Sequence, residues 1–90
     1  MLQTISITVR GKVQGVFFRQ STKNTANQLG IKGEVKNLRN GNVEIIATGT
    51  KEQLDKLIEW CKKGPPRSEV TGVDVQEVSL EMFHQFLITG

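Results

Sequence analysis

Nine residues, Gly11-Lys12-Val13-Gln14-Gly15-Val16-Phe17-Phe18-Arg19, constrain this chain more than any others. Before them the sequence alternates: Ile5, Ile7 and Val9 share one face, and Thr4, Ser6, Thr8 and Arg10 the other. That period of two predicts a half-buried strand over Gln3–Arg10. After them Phe18, Thr22, Ala26 and Leu29 lie on one side of a helix predicted over Gln20–Leu29, with Gly30 as its left-handed stop. The chain must therefore turn from strand to helix within a few residues, between two glycines. Such a corner can curl so that successive N–H groups converge on one point. The following helix adds its first unpaired N–H groups, and Arg19 adds a planar fork of donors suited to phosphate or carboxylate oxygens. By residue type alone, an anion cradle and a plain corner with a surface arginine fit equally well, because glycine serves both. A magnesium-nucleotide P-loop does not fit. Gln20, Ser21 and Thr22 follow Arg19, and no lysine precedes the hydroxyls.

Farther along, Ile31–Leu38 and Val43–Thr48 predict two strands joined through Arg39-Asn40-Gly41-Asn42, whose Asn-Gly pair is a strong hairpin signal. Thr50 opens a second helix, because Thr50-x-x-Gln53 has the form of a capping box. Leu54, Leu57, Ile58 and Cys61 form its single apolar stripe, and Gly64-Pro65-Pro66 ends it. Val70–Leu80 predicts another strand and Phe83–Thr89 a last one, with Phe86 and Ile88 on one face. The order predicts an α+β ferredoxin-like sandwich: βαββαβ with an extra short C-terminal strand, and two helices on one face of an antiparallel sheet. Ninety residues suffice for one core, so residues 1–90 are read as a single domain.

Charge is unevenly spread. Residues 1–40 carry seven basic side chains and one acid; residues 41–90 carry five and eight, for a net +3 overall. A positive field would draw a small anion to the half with the cradle, while ordinary solubilising lysines would give the same count. No apolar run is long enough to span a bilayer, and the N-terminus lacks a secretory signal, so no membrane role is expected. One cysteine makes neither an internal disulfide nor a thiolate metal cluster, which points to a reducing, cytoplasmic setting without metal or cofactor.

The nine-residue stretch resembles the first signature of the acylphosphatases, in the form Gly11-x-Val13-Gln14-Gly15-Val16-x-Phe18-Arg19. Gly33-Glu34-Val35-Lys36-Asn37, followed by Gly41, Val43 and Gly49, resembles their second. Two departures stand out. Glu34 lies where the family usually has an aromatic residue, and the tail reads Ile88-Thr89-Gly90 where the family often ends near a tyrosine. The resemblance implies the same ferredoxin-like fold and the hydrolysis of acyl phosphates to a carboxylate and phosphate. It implies that the N–H groups of Gln14, Gly15, Val16, Phe17, Phe18 and Arg19, with the Arg19 side chain, bind the phosphoryl oxygens. By type, Asn37 is a polar residue at a strand end, with one acceptor and two donors on its amide; the resemblance implies that it orients the attacking water. The family also includes acylphosphatase-like domains of larger hydrogenase-maturation proteins. A chain running from Met1 to Gly90 is expected to be the free-standing enzyme, a monomer whose partners are its small-molecule substrate and phosphate.

Other candidates fall to simpler readings. His84, the only histidine, sits in the predicted last strand with no orienting carboxylate in the pattern. Cys61 belongs to a buried stripe, where it acts as a small apolar residue. Trp60 borders that stripe. Asp55 and Glu59 share a helical face with Lys51, Lys62 and Lys63, the composition of a solvated surface. Two rival classes remain. A non-catalytic anion-binding module of the same fold would hold phosphate without turnover. An RNA-recognition domain would share the strand–helix order, but it needs aromatics on its central strands. Thr4–Val9 and Val43–Gly49 contain none, so no nucleic-acid partner is expected.

Overall fold

A computed structural model describes residues Met1–Gly90. The elements are β1 (Leu2–Lys12), α1 (Phe18–Leu29), β2 (Lys32–Asn37), β3 (Val43–Thr50), α2 (Lys51–Lys63), β4 (Glu69–Val78) and β5 (Phe86–Ile88). The sheet order is β4-β1-β3-β2-β5. Ile5, Ile7 and Val9 of β1, Val35 of β2, and Val43, Ile45 and Ala47 of β3 form one buried layer. Phe18 and Ala26 of α1 and Leu54, Leu57 and Cys61 of α2 pack in the same core. Burying a large apolar side chain of this kind contributes about 1.5–3 kcal/mol. Trp60 lies at the core's border, its ring 5.4 Å from that of Phe18 and tilted by 57°. No helix is long and apolar enough to cross a membrane.

Helix α2 starts as its sequence predicts. Thr50 accepts from the Gln53 N–H at 3.2 Å, and the Gln53 side chain accepts from the Thr50 N–H at 2.8 Å. At its exposed face Lys51 pairs with Asp55 at 3.1 Å and Lys62 with Glu59 at 2.7 Å. Close approach explains Gly33: a Cβ there would collide with the Ile46 carbonyl on the neighbouring strand.

The sheet departs from the antiparallel expectation at one edge. Strands β1 to β4 pair antiparallel, but β5 runs parallel to β2. The last strand is also shorter than its pattern predicts, and Ile88 is exposed while Phe86 is buried. The cause lies in residues 79–85. Thr4 and Thr48 lie on the sheet face opposite Ile5 and Ala47, and both are buried. Thr4 Oγ1 accepts from the Glu81 N–H at 2.9 Å, Thr48 Oγ1 donates to the Glu81 carbonyl at 2.6 Å, and the two hydroxyls meet at 2.6 Å. This closed set of bonds draws the chain across the open face at the end where β4 finishes. From there it reaches the free edge of β2, and the way back along the sheet is the direction of β2. Parallel pairing follows from that crossing. As a result β1, β2 and β5 all finish at the same end of the sheet.

Candidate active site

At that shared end the β1–α1 corner is bent by two left-handed residues, Gly15 (φ 74°) and Phe17 (φ 63°). Val13, Val16 and Phe18 send their side chains into the core. The backbone between these anchors is thereby turned outward. Ser21 is the first residue of the stretch whose N–H finds a main-chain acceptor, Phe17 O at 3.0 Å, so the N–H groups of residues 14–20 are left without one. Helix α1 starts with no side-chain cap and no acid in its first turn. In α2, by contrast, a full capping box and Glu52 occupy the corresponding positions. An uncapped helix start preceded by a left-handed turn forms a concavity of donors that suits an anion.

A bulky residue with left-handed torsions costs about 1–2 kcal/mol, so Phe17 represents stored strain. Gly15 avoids that cost. A Cβ at Gly15 would meet no atom within 4 Å, so only the backbone resists substitution there. Gly15→Ala is therefore expected to lower stability by about 1–2 kcal/mol, read as a lower urea midpoint with an unchanged slope.

Gln14 lies in the same loop, but its side chain points elsewhere. Its Nε2 donates to Leu38 O at 2.7 Å and to Asn42 O at 2.9 Å. Those carbonyls bracket the turn at residues 38–42, which closes through the Leu38 N–H to Asn42 O at 2.8 Å. The amide thus ties the corner to the hairpin. Asn37, the last paired residue of β2, stands at the base of that turn. Its Oδ1 is buried and has no hydrogen-bond partner.

Corner and hairpin enclose a cleft of about 380 Å³. Gly15, Phe17, Phe18, Arg19 and Asn37 line it, with Val13, Gln20 and Ile88 completing its walls. Gln14 and Val16 are not among its lining: the Gln14 amide is held by the turn and Val16 is buried in the core. Arg19 is the one charged residue of the lining. One of its donors, Nη1, bonds to Gly90 O at 2.9 Å; a guanidinium has five. Two of the seven basic side chains in residues 1–40 are paired, Lys36 with Glu44 at 3.5 Å and Arg10 with Asp74 at 2.9 Å. Glu34 lies on the strand face opposite Val35 and Asn37 and outside the cleft, so its departure from the family's pattern does not touch the site.

The remaining reactive groups stay apart. His84 is exposed in the crossing segment, and Cys61 is buried in α2. Burial pushes the Cys61 thiol up to about 12, so almost no thiolate exists near neutral pH. No three His, Cys, Asp or Glu side chains come together as a metal site would require. Sequence reasoning missed the reach of Gln14 and the walls from Gln20 and Ile88. No pattern in the sequence reveals a side chain that crosses to another loop.

Fold and cleft together define a class: a ferredoxin-like sandwich whose anion-accepting corner faces an unpartnered carboxamide. The acylphosphatase family model matches residues 5–88. A protein named acylphosphatase from Acaryochloris marina is 51% identical over 84 residues, spanning 93% of this chain and 90% of its own. The structure of an acylphosphatase from Coxiella burnetii superposes with a TM-score of 0.95 at 41% identity, over 98% of this chain and 93% of that one. That of the Bacillus subtilis acylphosphatase gives 0.94 at 42% identity, with both chains fully covered. The chain belongs to the acylphosphatase family, hydrolases of acyl phosphates. The binding-module alternative gives way to the catalytic reading.

Proposed function

We propose that hydrolysis takes place in the cleft between the β1–α1 corner and the end of β2. The N–H groups of residues 14–19 and the Arg19 guanidinium receive the phosphoryl oxygens. Asn37 Oδ1 accepts a hydrogen bond from a water and leaves a lone pair of that water free to attack phosphorus. One observation supports this reading: Asn37, whose Oδ1 is buried and unpartnered, lines the same cleft as Gly15, Phe17, Phe18 and Arg19, whose N–H groups have no main-chain acceptor. Burying an unsatisfied acceptor costs about 1–3 kcal/mol, and a bound water would offset it.

The step balances without a side-chain base. The water oxygen bonds to phosphorus, the bond from phosphorus to the acyl oxygen breaks, and its electron pair leaves on the carboxylate. The water's proton passes to a phosphoryl oxygen. The lining contains no His, Asp, Glu, Cys or Lys to take it. The leaving carboxylate belongs to an acid of pKa about 4 and needs no protonation. Phosphoryl transfer then depends on positioning and charge stabilisation, which the corner and Arg19 supply.

In this reading Arg19 takes the part that a metal ion plays elsewhere. Benzoyl phosphate is expected to be cleaved at an undiminished rate in excess chelator, while phenyl phosphate, a monoester with a poorer leaving group, is spared. Loss of activity on chelation, restored by a divalent cation, would overturn the metal-free mechanism. The same reading takes residues 1–90 as one domain acting as a monomer in the cytosol.

A further inference from the structure

Phe17 is the only non-glycine residue with a positive φ, and the residue is 74% exposed. It joins neither the core nor the Phe18–Trp60 pair. Both features work against the fold: glycine would relieve the backbone, and a polar side chain would suit the solvent. Local conflicts of this kind mark functional positions. The ring lines the cleft that holds Arg19 and Asn37. Ile88, 37% exposed at the end of β5, lines the same cleft. Arg19 is the only cation there, and the proposed phosphoryl site uses it. A second anionic group on a substrate would find no partner.

We propose that Phe17 and Ile88 form the acyl subsite, selecting acyl phosphates with an uncharged aromatic or branched acyl group over small or anionic ones. The inference rests on the proposed reading of the cleft. The phosphoryl group sits on the corner N–H groups, and the acyl group leaves the cleft between the exposed ring and the Ile88 side chain. Burial of apolar surface on both sides favours a ring or a branched chain.

The test is a ratio, because Phe17 also contributes its N–H to the corner. In the wild-type protein kcat/KM is expected to fall from benzoyl phosphate to acetyl phosphate, and to fall again for succinyl phosphate. Phe17→Ala, which keeps a non-glycine backbone, is expected to reduce the benzoyl-to-acetyl ratio about tenfold, the equivalent of exposing about half a phenylalanine side chain. The inhibition constants of phenylphosphonate and methylphosphonate are expected to converge by a similar factor, which reads binding without turnover. Ile88→Ala, outside the corner, is expected to move both ratios the same way by about threefold. If Phe17→Ala fails to fold, Ile88→Ala decides. Unchanged ratios overturn the acyl subsite. Failure of methylphosphonate to inhibit the wild-type protein would instead overturn the phosphoryl assignment of the cleft.

Discussion

Arg19→Ala is expected to lose both inhibition by phosphate and turnover, with a fall in rate of about 10³-fold or more. The magnitude follows from arginines that stabilise charge in phosphoryl transfer. Arg19 is the single charge lining the cleft, so nothing nearby can substitute for it. Stability should barely change, for two opposing reasons. The variant loses the bond from Nη1 to Gly90 O, a contribution of about 0.5–1.5 kcal/mol. It also removes a cation from the first turn of a helix, where the dipole disfavours positive charge by about 0.3–1 kcal/mol. Under the proposed reading, phosphoryl binding would account for a residue that gains so little for the fold at that position. Arg19→Lys separates charge from geometry. Lysine keeps the charge but lacks the fork that matches two phosphoryl oxygens, so it should restore little. The measurements are turnover of benzoyl phosphate, the inhibition constant of phosphate, and the urea midpoint. Near-full activity in the lysine variant would show that the field alone suffices.

Local pattern revealed most of this fold because most elements agree with their own residues. The alternation of Ile5, Ile7 and Val9 fixes the buried face of β1, and Thr50 with Gln53 fixes the start of α2. The Asn40-Gly41 pair announced the hairpin, although the turn spans residues 38–42 and closes between Leu38 and Asn42. What escaped depends on contacts distant in sequence. The direction of β5 is set by Thr4 and Thr48 holding Glu81, and hydroxyls on the polar face of a strand look like ordinary solvent-facing residues. The same holds for Gln14, whose amide reaches the carbonyls of a loop more than twenty residues away. Arg19 and Asn37 stand out in the sequence, but only the folded chain brings them to one cleft. They come together because β1 and β2 run in the same direction, each paired antiparallel with β3, and so finish at the same end of the sheet with only β3 between them.

Asn37→Ala is expected to separate rate from binding. If the amide holds only the attacking water, turnover should fall by roughly 10²–10³, as for the loss of one oriented polar group at a reacting centre. The inhibition constant of phosphate should hardly move, because Arg19 and the N–H groups of residues 14–19 remain. Stability gives a third, independent reading. Asn37 Oδ1 is a buried acceptor without a partner, a burden on the fold of about 1–3 kcal/mol when no water satisfies it. Its removal should leave the protein at least as stable as before, so lost activity cannot be ascribed to unfolding. A variant slower by two orders of magnitude yet no less stable is the pattern expected when a residue is kept for the reaction alone. Asn37→Asp tests the sign of the charge. It preserves the shape but sets a carboxylate against the incoming phosphoryl group, so both rate and phosphate binding should suffer. A variant Asn37→Ala that keeps its saturated rate while losing phosphate inhibition would make Asn37 a binding residue. The water would then need another holder, and of the remaining lining only Gln20 carries a side-chain amide that could take its place.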